Sequence, residues 1–211
     1  MRLEETALKT ILQEIGEWVY AESGIEMPSK TISVEIYTNP HGTLSAKGKI
    51  SYLGPLMPKQ KSNLPTIKLD LTVDEKIVLF PEKRNIFYLF SDKPDNLPKA
   101  LTYCYEEMFT EKLRDLAERA RPRDLYDVIF LYHKRHLVKN KAKFLEALKE
   151  KCKFKNIPVP TLEILKHHPQ KEILVSGWEN MLSHQLSNLN PFDHYWKQLP
   201  AVFNWISKLL E

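Results

Sequence analysis

The hydrophobic pattern changes its period once, near residue 97, and that change limits the architectures open to the chain. Over residues 31–38, Ile32, Val34 and Ile36 face one way while Ser33 and Glu35 face the other, which is the two-residue repeat of a half-buried strand. Asn39-Pro40-His41-Gly42 then predicts a turn, and residues 47–53 the returning strand. After a Pro- and Lys-rich link over residues 54–65, alternation resumes across 66–73. There Ile67, Leu69, Leu71 and Val73 share one face, and Thr66, Lys68, Asp70 and Thr72 share the other. A helix precedes these strands: Leu8, Ile11, Leu12, Ile15, Val19 and Tyr20 recur at helical spacing, and Gly24 makes a stop for a helix over 3–23. From Leu97-Pro98 onward the period is helical. Helices are predicted over 99–119, 122–137, 140–151, 160–167, 170–188 and 194–210, with Pro158, Pro160, Pro169 and Pro191 marking breaks. Strands gathered first and helices after predict an α+β fold. Its small, mostly antiparallel sheet lies in residues 1–98 and its helical lobe in 99–211.

A chain of 211 residues can bury a proper core. Two cysteines, Cys104 and Cys152, and the lack of a hydrophobic leader after Met1 point to a reducing cytoplasm. No apolar run approaches the roughly 20 residues of a membrane span. The net charge of +4 is mild, but its distribution is uneven. Between Lys134 and Lys155, the cations Lys134, Arg135, Lys139, Lys141, Lys143, Lys149, Lys151, Lys153 and Lys155 are opposed by Glu146 and Glu150 alone. Such a run is either a solvated helix face or a surface for RNA or another polyanion.

The chemistry-bearing stretch is residues 107–127. On the helix predicted from Leu101, the apolar stripe reads Leu101, Tyr105, Met108, Phe109 and Leu116, and Lys112 falls in its middle. An unpaired buried charge costs several kcal/mol, so Lys112 needs a carboxylate or a cleft holding an anion. The next helix can supply one. Pro122 suits its first position, Asp124 lies in its first turn where the dipole favours negative charge, and Asp127 follows on the same side. The plainer alternative is a helix-start Asp and an Arg123–Asp127 surface pair at i, i+4.

The run from Glu107-Met-Phe-Thr-Glu-Lys112 through Arg121-Pro-Arg-Asp-Leu-Tyr-Asp127 resembles the two C-terminal motifs of the AbiEii/AbiGii nucleotidyl transferase toxin family. Those motifs read approximately E-x-x-x-E-K-x-x-A-L-x-x-R and R-x-R-D-x-Y-D, and Asp115 stands where the family often has alanine. The resemblance implies a polymerase-beta-like nucleotidyltransferase fold, Mg²⁺ dependence and a toxin role in a toxin–antitoxin, abortive-infection setting. It implies catalytic roles for Lys112, Asp124 and Asp127, and contacts from Lys68, Lys112, Arg121 and Arg123 to the phosphates of an NTP. Asp70 would hold metal; the plain reading of Lys68 and Asp70, as of Glu35, is a solvated strand face. RNA or protein is the implied acceptor, and a cognate antitoxin the implied partner.

One departure stands beside the match. The family carries a Gly-Ser or Gly-Gly-Thr turn and an Asp-x-Asp metal strand upstream of these motifs; this sequence has no Asp-x-Asp, and none of its six glycines precedes a serine. The chain is therefore expected to correspond to the family's later two-thirds, without the catalytic front. The competing expectation is a non-catalytic module that binds RNA or a protein. Other signals point to structure: His133, His136 and His167-His168 lack zinc-site companions, Ser176-Gly177 lacks a nucleophile-elbow pattern, and Phe192, Tyr195, Trp196, Phe203 and Trp205 read as core.

Overall fold

The computed structural model describes residues 4–39, 42–54, 64–73 and 75–209. Pro40 and His41 of the expected turn, most of the 54–65 link and the outermost ends of the first and last predicted helices lie outside them. The fold is α+β, in two compact units that divide between Glu75 and Lys76.

In the first unit, α1 (Glu5–Ser23) ends where Gly24 takes φ 71°, a left-handed conformation open to glycine, and returns its N–H to the Tyr20 carbonyl. Strands β1 (Ser33–Thr38), β2 (Leu44–Ser51) and β3 (Thr66–Thr72) form an antiparallel sheet in that order. Val34, Gly48 and Leu69 lie in one register row, and Ile36, Ala46 and Leu71 in the next. This apolar face packs on Leu8 and Leu12 of α1, making a small core with Val34 and Ala46. The alternation read from the sequence is the reason: one face of each strand carries the branched residues that a helix can cover.

The second unit begins with a two-stranded antiparallel ribbon, β4 (Glu82–Asn85) and β5 (Lys99–Thr102), with Glu82 opposite Thr102. Residues 99–102 are therefore strand, not the first turn of the expected helix, and Leu101 is exposed. Their backbone groups bond to β4, and Cys104 is extended, so α2 (Tyr105–Arg119) starts only at Tyr105. Next come α3 (Pro122–His133), a 3₁₀ turn at Arg135–Leu137, and α4 (Lys141–Phe154), capped by the Asn140 side chain on the Lys143 N–H. Shorter helices follow: α5 (Leu162–Lys166), α6 (Lys171–Ser176), α7 (Trp178–Leu182), α8 (Phe192–Trp196) and α9 (Leu199–Ser207). The single helices expected over 170–188 and 194–210 are each broken, the first at Gly177 and the second just before Leu199-Pro200. Proline at the second position of α9 has no N–H to give to a preceding turn, so the chain restarts there.

The helical core centres on Phe109, Phe144 and Trp205, whose ring centroids lie 5.4–5.8 Å apart. Trp178 packs on Tyr195 at 4.9 Å and on Phe192 at 5.7 Å. The late aromatic run is thus core packing, as its spacing indicated. Both cysteines are free and buried, and no described helix is long and apolar enough to cross a membrane.

Candidate functional site

The elbow between α2 and α3 builds the site. Ala120 adopts φ 43°, ψ 53° and donates its N–H to the Leu116 carbonyl, while Arg121 is extended and Pro122 opens α3. One left-handed residue turns the chain sharply enough to set the first turn of α3 beside the last turn of α2. Arg119 then reaches Asp124 with two hydrogen bonds, Nε to Oδ2 at 2.9 Å and Nη2 to Oδ1 at 3.0 Å. Its Nη2 also donates to Asp115 Oδ2 at 2.8 Å. Asp124 is 1% exposed. A buried carboxylate held this way is paired and oriented. The hydrogen bond to Asp124 is the main cause of the raised Arg119 pKa, so the guanidinium stays charged.

Lys112 places its amine 2.7 Å from Asp127 Oδ2, with the two side chains 31% and 34% exposed. It does not lie in the middle of an apolar stripe. Leu101 is off the helix, Met108 is exposed, and the buried arc of α2 instead runs through Tyr105, Phe109, Leu113 and Leu116 with Glu106 and Thr110 beyond. Lys112 sits on the rim of that arc, where it opens into a cleft of about 360 Å³. Lys112, Arg119, Arg121, Arg123, Asp124 and Asp127 all line the cleft, with Leu182 and Leu186 among its apolar walls. Four cations therefore face two carboxylates. Arg121 and Arg123 are exposed, and among the described residues neither has an ion-pair partner. The structure thus brings together five of the sequence-predicted residues and adds Arg119, whose signal was its place as the final Arg of the first motif.

The other face of α2 meets a lysine that belongs to the cationic run of residues 134–155. Lys151 of α4 is 2% exposed. Its amine lies 2.6 Å from Glu107 Oε1 and donates to Glu111 Oε2 at 2.8 Å and to the Lys76 carbonyl at 2.9 Å. Glu107, wholly buried, also accepts the N–H groups of Val78 and Leu79 at 3.1 and 3.0 Å. Glu106 likewise accepts those of Lys139 and Asn140 at 2.7 and 3.1 Å. Burial would raise the Glu111 pKa, but Lys151 and Arg114 outweigh it and hold the carboxyl below its ordinary range. Arg114 joins this group to the elbow by pairing with Glu111, Glu118 and Asp115. Burial is the largest influence on Asp115 and pushes its carboxyl up to about 6, against the opposing pull of Arg114 and Arg119. A run of charges thus links Lys151 to Asp124 through Glu111, Arg114, Asp115 and Arg119.

Lys68 and Asp70 belong to the first unit. Both are exposed on the polar face of β3, Asp70 opposite Lys47 and Lys68 opposite Lys49. Lys47 in turn faces Glu35 across β1, so a cation separates the two strand carboxylates. Among the described residues, no group of three or more His, Cys, Asp or Glu side chains could hold a metal ion. Asp70 is a lone carboxylate here and does not by itself make the donor set of a two-metal site.

Comparison with known proteins gives one finding: the family model described as Nucleotidyl transferase AbiEii toxin, Type IV TA system, matches residues 5–198. No curated protein and no solved structure matches the chain.

Proposed function

The chain belongs to the AbiEii nucleotidyl transferase toxin family, and on that premise we propose that the cleft at the α2–α3 elbow binds an NTP and presents it to an RNA or protein acceptor. The observation that carries this reading is the charge pattern of the cleft. Among the described residues Arg121 and Arg123 face it without ion-pair partners, next to Lys112, whose single partner there, Asp127, is itself partly open to solvent. Phosphoryl-group chemistry asks little covalent work of a protein; it needs fixed cations around the phosphates and an oriented acceptor.

In this reading Lys112, Arg121 and Arg123 hold the triphosphate, and Asp127 keeps the Lys112 amine in place. Asp124 is committed to Arg119 and positions that guanidinium rather than touching substrate. The acceptor hydroxyl bonds to the α-phosphorus, the bond to the β-phosphate oxygen breaks, pyrophosphate leaves against the arginines, and Asp127 receives the hydroxyl proton. Mg²⁺ and a cognate antitoxin enter the proposal through family membership, and no step above passes through a metal.

Calorimetric titration with each NTP tests it. Lys112→Ala should weaken nucleotide binding at least tenfold, and Arg121→Ala/Arg123→Ala should do the same, with melting temperatures close to the parent's. Unchanged nucleotide affinity in both variants would remove the cleft from the reaction. Transfer of label from an α-phosphate to an acceptor separates a transferase from a module that binds without turnover.

A further inference from the structure

Helix α1 has two apolar sides, and the sheet covers one of them. Leu8 and Leu12 pack there with Val34 and Ala46, and Gly16 is buried on the same side. Ile11, Ile15 and Trp18 lie along the adjoining side and are 46%, 45% and 64% exposed. Their spacing of four and then three residues is that of a seam at which one helix packs on another. Exposed apolar stripes of this kind mark contact surfaces, and tryptophan is among the residues that contribute most to such contacts.

The free charges beside the stripe are of one sign. Glu14 and Glu22 stand about one helical turn before and after Trp18, and both are exposed. Among the described residues neither has an ion-pair partner. The one cation of α1, Lys9, is already held by Glu5 at 2.6 Å. At about 100° per residue it lies half a turn round the helix from Trp18.

We infer that this face docks an amphipathic helix of a partner protein that carries basic residues beside its own apolar seam. Charge complementarity selects that occupant. A second copy paired through the same face would bring glutamate toward glutamate, because a two-fold contact repeats one patch on both sides. The same carboxylates disfavour a membrane surface: interfacial helices carry lysine and arginine on their polar face, and anionic lipid heads repel glutamate. A helix suits the stripe better than a strand, since it offers side chains at matching three- and four-residue intervals. The inference does not depend on the nucleotidyl-transfer reading, whose residues belong to the second unit.

The test is a calorimetric titration of the full chain with two synthetic helical peptides that share one leucine seam, the first flanked by lysine and the second by glutamate. The parent should bind the lysine-flanked peptide at least tenfold more tightly, with an affinity that falls as salt rises. Trp18→Ala should weaken that binding at least tenfold. Its side chain is exposed and alanine favours the helix, so the melting temperature should stay at the parent value. Glu14→Lys/Glu22→Lys should reverse the preference, so that the glutamate-flanked peptide binds more tightly; an indiscriminately sticky surface would show no reversal. Equal binding of the two peptides, binding of neither, or a preference that survives the charge reversal overturns the inference. So does a parent chain whose self-association in sedimentation is lost in Trp18→Ala, which would give the face to a second copy. Attachment to phosphatidylserine vesicles that is lost in the same variant would give it to a lipid surface and overturns the inference equally.

Discussion

Helix α2 presents two ammonium sites on its two sides, and they are opposites. Toward α4, the Lys151 amine is sealed off with two carboxylates and a backbone carbonyl, every one of them within 2.9 Å. Toward α3, Lys112 has a single carboxylate partner and about a third of its side chain in solvent. The sealed lysine has no proton or contact to offer a ligand; the open one lines the cleft and, in the proposed reading, offers its remaining protons to a phosphate while Asp127 holds it. One short motif, Glu107 through Arg119, therefore mixes residues that hold the helices together with residues that face the cleft, and the side of the helix tells them apart.

The contrast makes its strongest claim on stability. Lys151→Met should destabilise the second unit by about 3–5 kcal/mol, because it strands buried carboxylates without their cation, and denaturant titration reads this directly. If the loss were below about 1 kcal/mol, the sealed site would be no scaffold. Next in size is Asp124→Ala, which leaves Arg119 with Asp115 alone and should cost about 2–3 kcal/mol while also weakening NTP binding. Asp115 supplies a pH signature. Its folded pKa of about 6 lies above the ordinary 3.8, so the unfolded chain gives up this proton first as pH rises. Stability should fall between about pH 4 and pH 6 by on the order of 2 kcal/mol, and Asp115→Asn should remove that slope; a slope that survives in the variant belongs to other groups. The smallest effect on stability is expected at the open site, where Lys112→Ala should change unfolding free energy by less than about 1 kcal/mol while nucleotide binding is expected to weaken tenfold.

Legibility in the sequence followed how local each signal was. The period change gave the α+β order, the hairpin and most helices, because alternation and helical spacing are properties of neighbouring residues. The ribbon of β4 and β5 was hidden, since Lys99–Thr102 is strand only by virtue of partners fourteen to twenty residues upstream. The lysine that lies inside an apolar stripe is Lys151, not Lys112. On α4, Phe144, Ala147, Leu148, Lys151 and Cys152 form the buried stripe, and the surrounding run of lysines disguised it as a solvated face. Lys112 reached the cleft for another reason, the sharp elbow after Arg119, which composition does not announce. Asp124 and Arg119 follow the same logic: their pairing depends on Ala120 turning left-handed.

Gly177 carries that dependence outward. A methyl added there would sit 3.0 Å from the Ile173 carbonyl oxygen and 3.6 Å from the ring of Pro122, the residue that opens α3. Neither helix beside Gly177 holds a charge of the cleft, yet the bare backbone between them is the floor on which the elbow rests. A carbon added there would make an ordinary contact with Pro122 but press on the Ile173 carbonyl, so the strain of Gly177→Ala would fall on the bend between α6 and α7.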